Sequence, residues 1–63
     1  MPFLQVNILE GRPADKRAEL ISALTDTVCE VLGSKREAVR IMINEVPKEN
    51  WGIGGDTAKQ LGR

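Results

Sequence analysis

Histidine and tyrosine are absent from this chain, and Cys29 is its only cysteine. One cysteine cannot form an internal disulfide, and without histidine or a cysteine pair there is no zinc-binding pattern. A histidine-activated nucleophile is excluded for the same reason, which leaves Cys29 as a small core residue of the helix described below. Phe3 and Trp51 are the only aromatic residues. No apolar run is long enough to span a bilayer, so no membrane association is expected. The N-terminus lacks the charged-then-apolar pattern of a signal peptide. Nine basic and nine acidic residues cancel, and no basic block suits nucleic acid. The expected compartment is the cytoplasm, which suits a reduced Cys29.

What remains is a chain of 63 residues, enough for one domain, with an apolar content of 41%. A chain this short buries a modest fraction of its surface and is marginal alone. Small scaffolds draw extra stability from disulfides, a metal or partner subunits. The first two are missing here, so the sequence predicts a homo-oligomer.

Between Phe3 and Leu9 the side chains alternate. Leu4, Val6 and Ile8 share one face, while Phe3, Gln5, Asn7 and Leu9 share the other. This is the pattern of a strand, broken at Gly11. Pro13 suits the first turn of a helix, and Asp15 complements the positive end of its dipole. Ala14, Ala18, Ile21, Leu24, Val28 and Leu32 then recur at helical spacing, opposite Lys16, Glu19, Asp26 and Glu30. Gly33 is a natural stop. The spacing predicts a helix over 13–32. Ser34 and Glu37 have capping-box spacing for one short turn. Val39, Ile41 and Ile43 alternate with Arg40, Met42 and Asn44 as a second strand, ended by Pro47. Strand, helix, strand in this order is an α/β fold, a single βαβ unit with parallel strands and a right-handed crossover. The glycines after Trp51 predict a small C-terminal hairpin. One such unit leaves a sheet face and edge open for another copy.

Few residues are left to carry chemistry. Pro2 precedes the first strand. Once the initiator Met1 is removed, its nitrogen is a free secondary amine and a base of fixed geometry. With Met1 retained it is only a stiff start to an edge strand. Arg12 follows the Glu10-Gly11 break, at the strand end where α/β units often bind ligands. Its fork either grips a carboxylate or is simply solvated. Arg40 lies within the second strand on the face away from the helix. Once covered by oligomerisation it requires an anion, either a ligand or, in an interface salt bridge, Glu10 or another carboxylate. Trp51 either walls a pocket or anchors a subunit interface. Gly52, Gly54 and Gly55 lack the lysine and helix of a phosphate loop and read as turn glycines.

Taken together, Met1-Pro2, Ile8-Leu9-Glu10-Gly11-Arg12, Val39-Arg40-Ile41 and Trp51-Gly52-Ile53-Gly54-Gly55 closely resemble the 4-oxalocrotonate tautomerase family of the tautomerase superfamily. The resemblance spans essentially all of residues 1–63, which it implies form a single tautomerase domain. It implies a subunit that pairs into a four-stranded sheet, with three such dimers forming a hexamer. It makes Pro2 the catalytic base, and Arg12 and Arg40 the carboxylate-binding and polarising groups, drawn partly from neighbouring subunits. Leu9 and Ile53 match apolar pocket positions, and Trp51 stands where relatives often have phenylalanine. Pro13 departs from the small polar residue common at that helix start, which affects capping rather than chemistry.

The activity this resemblance implies needs no cofactor. A small-molecule dicarboxylate from aromatic hydrocarbon catabolism, of the 2-hydroxymuconate type, becomes a 2-oxo-enoate as a proton moves between C3 and C5. An apolar pocket and nearby guanidinium groups would keep Pro2 neutral near working pH. Two alternatives stay open. One is a dehalogenase or hydratase of unsaturated acids, for which Glu49 and Asp56 flank the Trp51 loop although Ile53 between them is apolar. The other is a non-catalytic oligomeric binding module whose arginines only pair with carboxylates.

Overall fold

The computed structural model describes residues 1–63. Strand β1 (Phe3–Leu9) leads into helix α1 (Ala14–Leu32), and the chain returns as β2 (Arg40–Val46), parallel to β1. The register sets Phe3 beside Arg40, Val6 beside Ile43 and Leu9 beside Val46. An antiparallel hairpin follows, made of β3 (Gly52–Ile53) and β4 (Asp56–Thr57). The βαβ unit and the C-terminal hairpin are therefore both present. Period-two alternation is the reason the sheet has two unlike faces. Leu4, Val6, Ile8, Ile41 and Ile43 are half-buried, while Phe3, Gln5, Asn7, Arg40, Met42 and Asn44 are exposed. On the open face the Asn44 side-chain amide donates to Asn7 Oδ1 at 3.1 Å.

The helix begins one residue later than the spacing predicts. Pro13 is extended, with ψ 159°, and caps α1 instead of joining its first turn. Its carbonyl accepts from the Lys16 and Arg17 amides at 3.1 and 3.4 Å. At the other end Gly33 takes the left-handed conformation, φ 69° and ψ 20°, and its N–H returns to the Cys29 carbonyl. A side chain would be strained there, so glycine stops the helix. The capping box at Ser34 does not form. The turn after α1 is a 3-10 helix over Arg36–Ala38 that starts from Lys35 without a side-chain cap. Arg36 instead ties that turn to α1 by pairing with Asp26. The carboxylate raises the Arg36 pKa above the ordinary arginine value, through its hydrogen bond and then its charge. Both side chains are exposed, so the pair adds little stability. The second strand starts at Arg40, one residue after the buried Val39.

Helix packing departs further from expectation. Leu24 and Val28 face the sheet, but Ala14, Ala18, Ile21 and Leu32 remain exposed. Leu20 and Thr25 complete the packed stripe, and the Thr25 hydroxyl is satisfied by the Ile21 carbonyl at 2.7 Å. The cause is width. Two strands about 4.8 Å apart cover only one narrow side of a helix about 10 Å across. Length matters as well. At about 1.5 Å per residue α1 outruns the strands, whose seven residues span about 23 Å. Val31 and Leu32 overhang, 73% and 64% exposed.

The resulting protomer is flat, with principal extents of 42 × 23 × 13 Å. Its radius of gyration is 14.6 Å, against about 11 Å for a compact domain of this length. Only Thr25, Val28, Val39 and Ala58 are buried. Phe3, on the open sheet face, is 59% exposed. Each large apolar side chain covered by a partner contributes on the order of 1.5–3 kcal/mol when moved from full exposure. Light scattering after size exclusion is expected to give a mass several times the protomer's 6.9 kDa. A stable 6.9 kDa species at micromolar concentration would contradict this reading of the exposed faces.

Candidate active site

Pro2 is half-buried at the entrance to β1. Its carbonyl accepts the Arg40 backbone N–H at 3.0 Å, the first bond of the parallel ladder. Strand pairing thus uses the Pro2 carbonyl and makes no demand on its nitrogen. Met1 is 84% exposed, so its removal would sacrifice almost no packing. Arg40 projects from the open face, where Nη1 donates to the Glu37 and Val39 carbonyls at 2.6 and 3.3 Å. Within the protomer it has no carboxylate partner. Glu10 of the same copy lies at the other end of the sheet.

Leu9 and Arg12 stand at the other end of the sheet. Gly11 turns the chain there with φ 125°, a backbone conformation that side chains disfavour. Arg12 is exposed, and its Nη1 donates to the Leu9 carbonyl at 3.2 Å. The Glu10 carboxylate accepts the Lys48 amide at 2.9 Å. That bond draws the 3-10 turn over Lys48–Asn50, and Trp51 after it, toward the same end. Trp51 and Ile53 are half-buried at the base of the hairpin, where the Trp51 carbonyl accepts the Ala58 amide at 2.7 Å. Gly54 and Gly55, with φ 62° and 96°, make the two-residue turn. A reciprocal Thr57–Gln60 cap closes the tail, with bonds of 2.8 and 3.0 Å.

The six candidate residues therefore form two groups. Pro2 and Arg40 lie at one end of the sheet, and Leu9, Arg12, Trp51 and Ile53 lie at the other. Strand rise separates Pro2 from Leu9 by about 23 Å. No single copy brings the groups together, and the isolated protomer encloses no cavity. No helix is long and apolar enough to cross a membrane.

Comparison with known proteins places the chain in a family. The model of the tautomerase enzyme family matches residues 2–60. The chain belongs to this family. The 2-hydroxymuconate tautomerase of Comamonas testosteroni is 46% identical over 63 residues, covering all of both chains. Among solved structures, a 4-oxalocrotonate tautomerase isozyme of Methylibium petroleiphilum superposes with a TM-score of 0.94 at 47% identity, over 98% of this chain and all of that one. A heterohexamer 4-oxalocrotonate tautomerase of Chloroflexus aurantiacus gives a TM-score of 0.91 at 34% identity, over 97% and 98% of the two chains. Tautomerases of this group are isomerases, and the βαβ-plus-hairpin protomer has their fold.

Two features of this tautomerase escaped the sequence reading. Within the protomer the Glu10 carboxylate accepts a backbone amide. Arg17 and Glu45 form an ion pair at 3.1 Å beneath the Arg12 loop. A signal for the pair was available, since Glu45 interrupts the inward phase that Ile41 and Ile43 establish in β2.

Proposed function

We propose that this tautomerase converts 2-hydroxymuconate-type dienols into conjugated 2-oxo-enoates without a cofactor, as a cytoplasmic step in aromatic-ring breakdown. Residues 1–63 act as one domain, and the unit of function is a homo-oligomer built from two-fold dimers, three of them in a hexamer. The reading rests on the junction of Pro2 with Arg40: a ring nitrogen left out of the ladder, on a residue whose carbonyl pairs with the Arg40 backbone, and an Arg40 guanidinium without a carboxylate partner in the protomer. The full-length similarity to a 2-hydroxymuconate tautomerase supports it.

Two-fold symmetry supplies the missing geometry. If two copies pair edge to edge into a four-stranded sheet, their strands run antiparallel at the junction. The Pro2 end of one copy then lies beside the Leu9, Arg12 and Trp51 end of its mate. Leu9, Trp51 and Ile53 contribute an apolar wall, and the arginines contribute charge. Desolvation and neighbouring cations both disfavour a protonated prolyl amine, so Pro2 stays available as a base. From the dienol it takes the 2-hydroxyl proton as the carbonyl forms and delivers a proton at C5; from the unconjugated 2-oxo isomer the same base moves the proton from C3 to C5. Arg40 stabilises negative charge developing on the 2-oxygen and adjacent carboxylate, and Arg12 anchors the far carboxylate. Glu49 and Asp56 are both exposed, and Ile53 between them is apolar, which favours proton shuttling over water activation.

The deciding assay is ketonisation of 2-hydroxymuconate by Met1-processed protein across a pH series. Activity should be lost as pH falls and Pro2 is protonated, with an apparent pKa well below that of an ordinary secondary amine. No turnover at any pH, or an apparent pKa typical of a free amine in water, would refute the mechanism.

A further inference from the structure

Arg12 has an exposed side chain, yet its backbone is restrained from three directions. Gly11, on one side, has a conformation suited to glycine. Pro13, on the other, restricts Arg12 to extended backbone. The third restraint comes from α1. Arg17 Nη1 donates to the Arg12 carbonyl at 2.5 Å and to Glu45 Oε2 at 3.1 Å. Arg17 and Glu45 side chains are 29% and 32% exposed, far less than the surface pairs Lys16–Glu19 and Arg36–Asp26. Glu45 occupies the inward phase of β2, so its carboxylate is fixed by the sheet. One guanidinium thus links strand, helix and loop.

We propose that Arg17, held by Glu45, is a positioning residue that sets the direction from which Arg12 reaches a substrate carboxylate. This rests on the function proposed above, with Arg12 as the distal anchor. A long exposed side chain delivers binding energy only if its root is fixed, because a loose root adds entropy that binding must remove. The bond to the Arg12 carbonyl fixes that root without touching substrate.

The test compares two substrates of the assembled enzyme: 2-hydroxymuconate, and 2-hydroxypenta-2,4-dienoate, which lacks the distal carboxylate. The readout is the ratio of their kcat/KM values, which a general loss of folded protein does not change. Arg17→Met keeps the apolar stem and removes both bonds. The ratio should fall about tenfold, through a higher KM for the diacid. Arg17→Lys keeps a point charge for Glu45, but its nitrogen ends one bond short of Nη1 and reaches the Arg12 carbonyl less well, so the ratio should fall about threefold. If Arg17→Met fails to assemble, Arg17→Lys decides alone: a reduced ratio supports the proposal and an unchanged ratio overturns it. Arg12→Ala separates the two levels of inference. If it collapses the ratio while the Arg17 variants leave the ratio intact, the positioning role is wrong and the proposed function stands. If Arg12→Ala also leaves the ratio intact, the distal anchor itself is misassigned, and the positioning proposal falls with it.

Discussion

Replacing Pro2 with alanine is expected to lower turnover of 2-hydroxymuconate about a hundredfold, the lower range for loss of a well-placed general base. Alanine leaves a primary amine at the same terminus, so some proton transfer survives. A sharper form of the experiment blocks Met1 removal by inserting a bulky residue between Met1 and Pro2. The prolyl nitrogen is then an amide without usable basicity, and the rate should drop by about a thousandfold or more. Neither change should disturb the fold. The ladder uses the Pro2 carbonyl, which accepts the Arg40 amide at 3.0 Å, and alanine supplies the same carbonyl. Thermal unfolding measured alongside the kinetics checks this. A Pro2→Ala enzyme that ketonises the diacid at the parent rate would eliminate Pro2 as the base.

Arg40→Ala carries the second large effect. Removing one donor that stabilises developing oxyanion charge costs on the order of a hundredfold to a thousandfold in kcat, or about 2.7–4 kcal/mol. In the free protomer Arg40 donates only to the Glu37 and Val39 carbonyls. One of those bonds is exposed and the other, at 3.3 Å, is long and only part-buried, so losing them removes about 1 kcal/mol of stability. The gap between these magnitudes makes the result interpretable, because destabilisation of that size cannot produce the kinetic loss. Arg40→Lys should recover part of the activity, since lysine keeps the charge and forfeits the planar fork. Single-turnover rates at saturating diacid would distinguish the variants. A lysine variant at the parent rate would dismiss bidentate recognition, and a higher KM with normal kcat would reassign Arg40 as an anchor.

The parts of the site differ in how far the chain alone disclosed them. Pro2, Arg12 and Arg40 took their roles from the family resemblance. Their residue types and places near strand ends were visible without coordinates. Glu10 and Arg17 were not, because each acts through a backbone group remote in sequence: the Lys48 amide for Glu10, and the Arg12 carbonyl together with Glu45 for Arg17. Such bonds leave no periodic trace. The capping box at Ser34 shows the converse error. Its spacing was right, but Arg36 paired with Asp26 and the turn began from Lys35.

Local chemistry alone determined the order of elements. Side chains alternate along a strand and repeat every 3.6 residues along a helix, and glycine alone enters left-handed turns cheaply. Hence β1, α1, β2 and the Gly54-Gly55 hairpin were written in the chain, whereas the pocket positions Leu9 and Ile53 came from the family resemblance. Tertiary structure decided which flank of α1 meets the sheet and that Pro2 with Arg40 sits at the opposite end from Leu9, Arg12 and Trp51. It also decided that Arg17 holds the Arg12 loop. These outcomes depend on the width of a two-stranded sheet, the register between β1 and β2, and contacts between distant residues. Periodicity sets the face a residue points to, but only packing sets what it meets there.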